Sequence, residues 1–599
     1  MEAIQRVFDL LSFYQSNYGQ RKMVSEKVNG SWKTYETSEF VERVDQLSKG
    51  LLAQGIVKGD KIAIMSANRV EWNLLDFAIN QIGAATVPLY PTLSEHDLNY
   101  ILSNADVKMT FVGTAELFHK IQRALVEINH PNVPIYAFDH VEDSIYWEDI
   151  LQKGRDSAVD LQIYRNEVQP DDLLTLIYTS GTTGSPKGVC LSHKNLITNF
   201  TDCAHLLPPT YQTAISFLPL SHIFERMVIY LYFFKGVHIY YAESMDTLVA
   251  DINEVRPDGF TTVPRVLEKV YDKIVEKGKQ LSGMKSMLFF WALRLGLRYK
   301  EPRHQHIFYK LQLKLARLLV FKKWQTALGG HIVGVISGGA ALQERLARVF
   351  WAAGIPVLEG YGLTETSPVI AVNNFSPNGL KFGSVGKVLP SVSVKIASDG
   401  EVLCKGPSIT TGYYQNEEAT AAAFDEDGFF KTGDIGELTS DGFLRITDRK
   451  KEMFKTAGGK YVAPQLIENK LMESTLIAQV MVVGEGRKFP AAFIVPAFDE
   501  LKKWTGKKGI AVNTVDDLIK HQNVLAKYQQ ILDQANTTFG HWEQIKKFVL
   551  LAKEWTIDGG ELTPKLSLKR KVILEKNKPL IKEIYGEDES EITDEKRSK

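Results

Sequence analysis

Apolar residues recur along the first 170 residues with two alternating periods, one typical of amphipathic helices and the other of extended strands. Helical spacing covers Glu39–Gln54, Trp72–Gly83 and His96–Asn104, whereas Lys61–Ser66 and residues 85–90 are short extended runs. Helices that alternate with buried strands are typical of an α/β fold whose strands are mostly parallel. The pattern therefore predicts a large α/β body at the start of the chain.

Three further buried strands are predicted in this body, and each is followed by a glycine-rich or polar loop. They are Leu173–Thr179, Ile332–Ser337 and Pro356–Glu359. Ligands of open α/β sheets bind beyond the carboxyl ends of the strands. Candidate chemistry is therefore expected in these loops.

The pattern changes near Val392, where short alternating strands separated by glycine turns predict hairpins of a small β subdomain. After Asp448 a charged stretch, DRKKE, leads into mixed α/β sequence up to about Tyr585. We predict an N-terminal body over 1–447, built of stacked mixed or parallel sheets, and a smaller α+β C-terminal domain over 448–586. The final residues, 587–599, are charged and nearly devoid of apolar groups, so a disordered tail is expected there.

Composition excludes several classes of protein. The 599 residues are 44% hydrophobic, and Lys+Arg and Asp+Glu both number 71, so global disorder and an overall positive field for nucleic acid are excluded. The three cysteines have no metal-site or disulfide spacing, which favours a reducing, cytoplasmic location. The longest apolar runs, Met227–Phe234 and Met287–Leu293, are far shorter than the about 20 residues of a spanning helix, although attachment to a membrane surface stays open.

A candidate phosphate-binding loop follows the strand Leu173–Thr179 and has the sequence YTSGTTGSPKG over residues 178–188. Glycines let backbone N–H groups converge on one point, and hydroxyls and a lysine add donors and positive charge, which suits a triphosphate or pyrophosphate. The alternative is a surface loop between a strand and a helix. A P-loop kinase or ATPase is disfavoured, because Gly188 stands where the Walker pattern requires Ser or Thr after its lysine.

The stretch LIYTSGTTGSPKGVCLSH closely resembles the signature of the acyl-adenylate-forming superfamily, which includes acyl-CoA synthetases. Three more segments occur in the expected order: ISGGA at 336–340, EGYGLTETSP at 359–368, and the long segment 431–468 that starts KTGDIG. The resemblance implies a two-step reaction in which ATP activates a carboxylic acid as acyl-AMP, which a thiol then attacks. It also implies that ATP phosphates bind the loop residues Thr179, Ser180, Gly181, Thr182, Thr183, Gly184 and Lys187.

The same resemblance assigns roles in the nucleotide site. Glu365, together with Thr182, is expected to bind Mg²⁺, and Thr364 to contact the α-phosphate region. Adenine is expected beside Tyr361, Gly362 and the segment Gly338, Gly339 and Ala340. Asp434 and Arg449 resemble the ribose-binding residues of the family, and a carboxylate can accept both hydrogen bonds of a vicinal diol.

In the C-terminal domain the resemblance implies residues that act in different half-reactions. Lys451 aligns with the hinge about which the domain swings, and Lys455 and Gly458 match the segment used in thioester formation. The catalytic lysine of adenylation is expected in ELTPKLSLKRK, where Ser567 occupies the position of the first expected lysine. Lys569 matches the second lysine and is our prediction, with Lys565 as the alternative. Lys187, Thr364, Glu365, Lys455 and Lys569 form the predicted catalytic set.

Chain size and the ELTPKLSLKRK segment resemble long-chain fatty acyl-CoA synthetases, with ATP, Mg²⁺ and coenzyme A as cofactor and co-substrates. His222, in LPLSHIFERM, is expected at the entrance of the acyl pocket. An additional segment at about 269–328 mixes basic residues with apolar and aromatic ones, which predicts amphipathic helices. Two interpretations stay open for it: attachment to the inner, anionic membrane surface, or a helical hairpin packed on the body.

Two other functions stay open at this stage. A freestanding acyl-AMP ligase would pass the acyl group to a carrier protein instead of coenzyme A, and a degenerate regulator would bind nucleotide without catalysis. Ser567 is the one feature that favours the regulator, whereas Lys187, Glu365, Asp434 and Arg449 argue against it. The preferred chain length and a homodimeric state are not determined by the sequence.

Overall fold

The computed structural model describes residues 4–179, 186–510, 512, 514–556, 559–563 and 568–586. The chain divides into two units. The first comprises Met1–Ile396, Leu403–Thr432 and Leu438–Arg445, and the second comprises Ala397–Val402, Gly433–Glu437 and Ile446–Lys599. The predicted tail 587–599 lies outside the described residues.

The strands, in chain order, are β1 Lys22–Val28, β2 Ser31–Glu36, β3 Lys61–Met65, β4 Ala85–Leu89, β5 Val107–Val112, β6 Ile135–Ala137, β7 Ile145–Tyr146, β8 Leu173–Thr179, β9 Lys187–Ser192, β10 Thr213–Ser216, β11 His238–Tyr241, β12 Gly259–Thr262, β13 Gly334–Ser337, β14 Val357–Gly362, β15 Val369–Val372, β16 Gly386–Val388, β17 Ser393–Ile396, β18 Glu401–Lys405, β19 Phe430–Leu438, β20 Phe443–Arg449, β21 Phe454–Lys455, β22 Tyr461–Val462, β23 Ile477–Val483, β24 Ala491–Pro496 and β25 Lys547–Leu550.

The α-helices are α1 Asp9–Tyr18, α2 Thr37–Ala53, α3 Val70–Gln81, α4 Glu95–Asn104, α5 Ala115–Glu127, α6 Glu148–Arg155, α7 Leu161–Glu167, α8 His193–Cys203, α9 Ile223–Lys235, α10 Leu248–Val255, α11 Pro264–Lys279, α12 Gly283–Leu297, α13 Ile307–Ala316, α14 Lys322–Ala327, α15 Glu344–Ala353, α16 Glu417–Ala423, α17 Pro464–Leu471, α18 Phe498–Lys507, α19 Val515–Lys520, α20 Gln522–Asn536, α21 Arg570–Lys576 and α22 Lys578–Tyr585. A π-helical turn, Arg317–Phe321, joins α13 to α14.

Two large sheets contain most of the described strands. The seven-stranded sheet has the order β7-β6-β5-β3-β4-β8-β9, in which only β9 runs antiparallel to its neighbour. The larger sheet has the order β2-β1-β11-β10-β12-β13-β14-β15-β16-β20-β19-β18-β17. Its central part, β11-β10-β12-β13-β14, is parallel. The predicted α/β body of mixed and parallel sheets is confirmed.

The second unit has a smaller three-stranded sheet of its own. Its order is β23-β24-β25, with an antiparallel first pair and a parallel second pair. Helices α17, α19 and α20 contribute apolar side chains to one core beside this sheet, among them Ile467, Leu518 and Tyr528. The α+β class predicted for the end of the chain is therefore confirmed.

Two strand predictions need correction where they approach the candidate site. The strand predicted to end at Glu359 continues to Gly362, because β14 pairs with β15 through Tyr361 and Ala371. The loop 178–188 joins two antiparallel strands, with Thr179 opposite Lys187, rather than a strand to a helix. Helix α8 begins only after β9, at His193.

No helix within the described ranges combines the length and apolar character needed to cross a bilayer.

A buried ion pair ties together the elements that lead to the candidate phosphate loop. The Arg226 guanidinium in α9 donates to both Asp76 carboxylate oxygens, at 2.5 and 3.1 Å, and to the Thr175 hydroxyl of β8 at 2.7 Å. The Tyr230 hydroxyl donates to Asp76 at 2.5 Å. Both charged side chains are fully buried, so each depends on the other for compensation of its charge.

We expect Arg226→Met to lower the free energy of unfolding by about 3–5 kcal/mol, because Asp76 is left buried without its counter-charge. Urea unfolding followed by circular dichroism measures the change. Arg123→Met is the matched control: that side chain is 62% exposed, so its loss should change stability by less than about 0.5 kcal/mol. Equal stability of the two variants would contradict the role assigned to the ion pair.

Candidate active site

The ends of the candidate phosphate loop are held by the hairpin of β8 and β9. Thr179 and Lys187 face each other as its last described pair, and both are half-buried. The predicted phosphate ligands Ser180, Gly181, Thr182, Thr183 and Gly184 lie outside the described residues. The hairpin therefore fixes the backbone position of Lys187 opposite Thr179.

Residues 410–414 run beside β9 and bring an unpredicted tyrosine to Lys187. The Cys190 N–H donates to the Gly412 carbonyl at 3.1 Å, and the Tyr414 N–H donates to the Gly188 carbonyl at 2.7 Å. Gly412 has φ of +145°, and a Cβ there would lie 2.4 Å from the Thr420 methyl group, so this position requires glycine. The pairing places the Tyr413 ring centroid 5.0 Å from Lys187 Nζ.

Tyr413 also contacts the predicted magnesium ligand. Its hydroxyl donates to Glu365 Oε1 at 3.0 Å, and the Thr410 N–H donates to the Glu365 carbonyl at 2.7 Å. Burial, together with the negative charge of Glu365, holds the pKa of Tyr413 far above its ordinary value, so the phenol remains a donor. Lys187 therefore contacts the ring of Tyr413, and Glu365 contacts its hydroxyl.

Tyr413 was not predicted from the sequence. The feature that could have indicated it is the run TTGYYQ, which follows Ile409.

A buried amide supports the turn that carries Thr364 and Glu365. Asn199, in α8, donates to the carbonyls of Thr366 and Val369 at 3.3 and 2.8 Å, and its side-chain oxygen accepts the Val369 N–H at 3.1 Å. Asn199 is fully buried, and Thr364 is 6% exposed. This support also escaped sequence reasoning, because Asn199 lies about 165 residues before the turn.

The residues predicted around adenine lie at the ends of neighbouring parallel strands. Ser337 of β13 pairs with Glu359 of β14, and Gly338, Gly339 and Ala340 follow β13 directly. Tyr361 is half-buried near the end of β14. Gly362 must be glycine, since a Cβ would come within 1.7 Å of the Pro368 carbonyl oxygen.

Glu359 adds an acid to this edge of the sheet that was not predicted as functional. Its carboxylate accepts the Leu342 N–H at 3.0 Å. Burial, with a further contribution from Glu344, raises the pKa of Glu359 to about 8. Burial therefore favours the protonated form of this carboxyl group, which can donate a hydrogen bond.

His222 occupies the N-cap of α9, where its Nδ1 accepts the Phe224 N–H at 3.0 Å. This contact assigns the imidazole a structural task at the start of the helix. Its expected position at the acyl-pocket entrance stays a prediction. Glu225, in the first turn of α9, is fully buried. Its carboxylate accepts hydrogen bonds from the Ser216 and Thr261 hydroxyls, and burial raises its pKa to about 7.

The second unit contains the two residues expected to bind ribose, and it brings them together. Arg449 Nε lies 3.3 Å from Asp434 Oδ1. The Asp434 side chain is only 5% exposed, whereas that of Arg449 is 57% exposed. Arg449 therefore positions the largely buried Asp434 carboxylate, while part of the Arg449 guanidinium stays exposed to solvent.

The residues expected to act in the two half-reactions lie on separate segments of this unit. Lys455 is exposed on the β21–β22 hairpin, with Nζ 4.7 Å from the Tyr461 ring centroid, and a Cβ at Gly458 would meet only Thr456 Oγ1, at 3.9 Å. Lys451 is exposed just before that hairpin. Lys569 is exposed at the start of α21, and the alternative Lys565 and Ser567 lie outside the described residues.

The carboxylate expected to hold a cation in the first unit is Glu365. In the described part of the chain, no three or more His, Cys, Asp or Glu side chains gather as a metal cluster. Mg²⁺ needs no such cluster, because proteins commonly hold it by one or two carboxylates together with substrate phosphates. Glu365, half-buried beside Lys187 and Tyr413, fits that role, while its expected partner Thr182 lies outside the described residues.

Comparison with known proteins identifies the family of this chain. The family described as AMP-binding enzyme matches residues 15–414, and the AMP-binding enzyme C-terminal domain matches residues 452–589. The long-chain-fatty-acid–CoA ligase FadD15 of Mycobacterium bovis is 35% identical over 582 residues, 94% of this chain and 94% of that protein. Long-chain-fatty-acid–CoA ligase 6 of Mus musculus is 30% identical over 593 residues, 92% of this chain and 82% of that protein.

Among solved structures, the adenylation domain of a carboxylate reductase from Mycobacterium chelonae superposes with a TM-score of 0.74. It is 22% identical and covers 97% of this chain and 91% of that chain, a likeness that concerns the fold. The family matches span most of the sequence, and the motifs that carry the resemblance lie at the strand ends described above. The chain therefore belongs to the AMP-binding, acyl-adenylate-forming enzyme family and resembles its long-chain fatty acyl-CoA synthetases.

Proposed function

We propose that this chain joins a long-chain fatty acid to coenzyme A in two steps at the expense of ATP. The observation that carries the proposal is the grouping of Lys187, Tyr413 and Glu365, in a chain whose relatives are long-chain-fatty-acid–CoA ligases. A cation and an acid held on one tyrosine can bind a phosphate chain and its counter-ion. The predicted domain boundary at 448 and the hinge at Lys451 belong to this proposal, because the two steps need different residues.

In the first step an oxygen of the fatty acid carboxylate attacks the α-phosphorus of ATP, and the bond to the bridging oxygen of the β-phosphate breaks. The products are acyl-AMP and pyrophosphate. The step brings two anions together, so preorganised positive charge lowers its barrier. Lys187 would supply such charge to the phosphates, and Thr364 would contact the α-phosphate.

Glu365 would hold Mg²⁺, which when bound supplies positive charge to the phosphate oxygens. Tyr413 keeps the Glu365 carboxylate oriented through its hydrogen bond. Tyr361 would stack on adenine beside Gly338, Gly339 and Ala340, whereas Asp434 would accept hydrogen bonds from ribose next to Arg449. Lys569 would approach the reacting carboxylate in this first step.

In the second step the sulfur of coenzyme A attacks the acyl carbon of acyl-AMP. The carbon–oxygen bond to AMP breaks, and the thiol proton is released. Lys455 and Gly458 are proposed to serve this step, since the exposed hairpin β21–β22 offers open backbone at Gly458. His222 would lie at the entrance to the acyl pocket.

The central test measures products from the purified chain with ATP, Mg²⁺ and fatty acids of graded chain length. We expect pyrophosphate release and acyl-AMP without coenzyme A, and acyl-CoA with AMP when coenzyme A is added. Product made only with a carrier protein would instead identify an acyl-AMP ligase. Bound nucleotide without pyrophosphate release would identify a non-catalytic regulator and contradict the proposal.

Tyr413→Phe should lower kcat/KM for ATP about tenfold or more, because a hydrogen bond to a charged group contributes about 1.5–3 kcal/mol. The ring beside Lys187 is kept, so the effect isolates the hydroxyl that orients Glu365. Steady-state kinetics with ATP varied at saturating fatty acid measures it. Tyr414→Phe is the matched control, since its hydroxyl accepts an exposed hydrogen bond from the neighbouring Gln415 side chain, at 3.4 Å. Equal kinetics of both variants would remove Tyr413 from the site.

We further propose that the insert binds the surface of an anionic membrane from the cytoplasmic side. Helix α12 buries Phe289, Ala292 and Leu293 in the core of the first unit, so this part of the insert packs on the body. Helix α13 and the following π-turn differ: six large apolar side chains there are 44–77% exposed, namely Ile307, Phe308, Leu311, Leu315, Leu318 and Leu319. We call these six residues the α13 face.

Charge around the α13 face suits anionic lipid. Between residues 302 and 328 the sequence has six Lys or Arg and no Asp or Glu. Five of these six basic side chains are exposed, namely Arg303, Lys310, Lys314, Lys322 and Lys323. A helix with exposed aromatic and aliphatic groups flanked by lysines binds lipid interfaces through apolar burial and attraction to anionic headgroups.

The double variant Phe308→Ser, Leu318→Ser should reduce binding to phosphatidylglycerol-containing vesicles at least about tenfold, since burial of one such side chain contributes about 1.5–3 kcal/mol. Vesicle flotation measures bound protein, and higher salt should weaken binding of the unmodified chain. Ile163→Ser is the matched control, because this residue is 59% exposed in α7, outside the insert. Flotation unchanged by the double variant would refute the α13 face. Sedimentation analysis would separately decide between a monomer and a homodimer.

A further inference from the structure

We propose that Arg570 is a positioning residue for adenylation: it anchors Lys569 to the segment that follows the hinge. The inference rests on the proposed function, since it needs Lys569 to act in the first half-reaction. It concerns only residues of the second unit. Nothing in the sequence motifs distinguishes Arg570 from the other basic residues of LKRK.

The contacts of Arg570 form a two-carboxylate clamp, by which we mean Arg570 with Glu452 and Glu468. Arg570 Nε donates to Glu452 Oε2 at 3.0 Å, and Nη2 donates to Glu468 Oε2 at 2.6 Å. The three side chains are 17%, 27% and 9% exposed, respectively. The planar fork of arginine reaches both acids at once, which a lysine cannot match geometrically.

Both acids of the clamp are themselves attached to ordered elements. Glu468, in α17, accepts the Val482 N–H of β23 at 2.6 Å through its other oxygen. Glu452 follows the expected hinge residue Lys451 directly, and its N–H donates to the Arg449 carbonyl at 2.9 Å. Arg570 is therefore fixed to the sheet of this unit and to the segment where the domain is expected to pivot.

Lys569 is held through its backbone rather than its side chain. Its N–H donates to the Glu561 carbonyl at 2.7 Å, and Leu562 and Leu568 form an antiparallel bridge. Lys576 holds the segment that precedes this bridge, because its ammonium lies 2.5 Å from both the Gly559 carbonyl and the Glu561 carboxylate. Because the Lys569 N–H and the next residue, Arg570, are both held by hydrogen bonds, the backbone that carries the exposed Lys569 side chain has a fixed position.

The clamp should matter for one half-reaction more than for the other. Lys455 and Gly458, proposed for thioester formation, lie on the β21–β22 hairpin and not on the segment that Arg570 begins. A group that only stabilised the unit would affect both steps alike. A group that positions Lys569 lowers the rate of adenylation selectively.

The test compares Arg570→Lys and Arg570→Met with the unmodified chain in two assays. Pyrophosphate exchange reports adenylation, and coenzyme A added to chemically prepared acyl-AMP reports thioester formation. We expect Arg570→Lys to reduce the exchange rate about tenfold with little change in the KM for ATP, and to leave thioester formation within twofold. Arg570→Met should reduce exchange further. Lys571→Met, at the exposed neighbouring position, should change neither assay.

A second comparison separates positioning from general stability. If Arg570 acts through Lys569, the loss caused by Arg570→Lys should vanish in a Lys569→Ala background, because the two effects are not additive. A decrease shared equally by both half-reactions, an unchanged exchange rate, or a full additional loss in the Lys569→Ala background would each overturn the inference. Should Arg570→Met fail to fold, Arg570→Lys decides. Absence of exchange in the unmodified chain would instead refute the proposed function.

Discussion

The antiparallel contact between residues 410–414 and strand β9 is the interaction on which the candidate site depends. It uses backbone hydrogen bonds, so it fixes the path of the segment whatever the neighbouring side chains are. Through it Tyr413 reaches Lys187 on one side and Glu365 on the other. Lys187 and Glu365 are about 180 residues apart in the sequence. Each of them contacts Tyr413, and this shared contact brings them into one site. In this candidate site, strand pairing determines where the charged side chains lie.

Buried charges in this chain serve two different purposes. Arg226 and Asp76 pair within the core, with further hydrogen bonds from Arg226 to Thr175 and from Tyr230 to Asp76, and they hold α3, α9 and β8 together. Arg570 with its two acids is also largely buried, but it lies at the start of a segment proposed to reach the reacting groups. A buried ion pair is a weak source of stability compared with apolar packing, yet it defines one geometry, because removing either partner leaves an uncompensated charge. Buried ion pairs are therefore suited to positions where one orientation of a helix or side chain must be maintained.

Much of the fold could be predicted from the sequence, because local periodicity determines it. Helices α2 and α3 and strands β3 and β8 begin or end within a few residues of the predicted bounds, and the order of strands and helices indicated the α/β class. The long motifs likewise pointed to Lys187, Glu365 and Asp434. Tyr413 and Asn199 could not be found in this way, since their partners are distant in sequence and their neighbours show no unusual periodicity. The β9 strand was missed for a related reason: Lys187–Ser192 is short, and its role depends on pairing across the loop.

The acid-free stretch that carries the α13 face has a consequence for how substrate would be acquired. A long-chain acid partitions strongly into a lipid leaflet, because each buried methylene contributes about 0.8 kcal/mol. An enzyme resting on that leaflet samples the acid by lateral diffusion, so its rate follows the number of acid molecules per unit area of membrane. The rate would then depend little on the concentration of the fatty acid in water. Attachment by exposed side chains of one short helix is also reversible, so the amount of enzyme at work would follow the surface charge of the membrane.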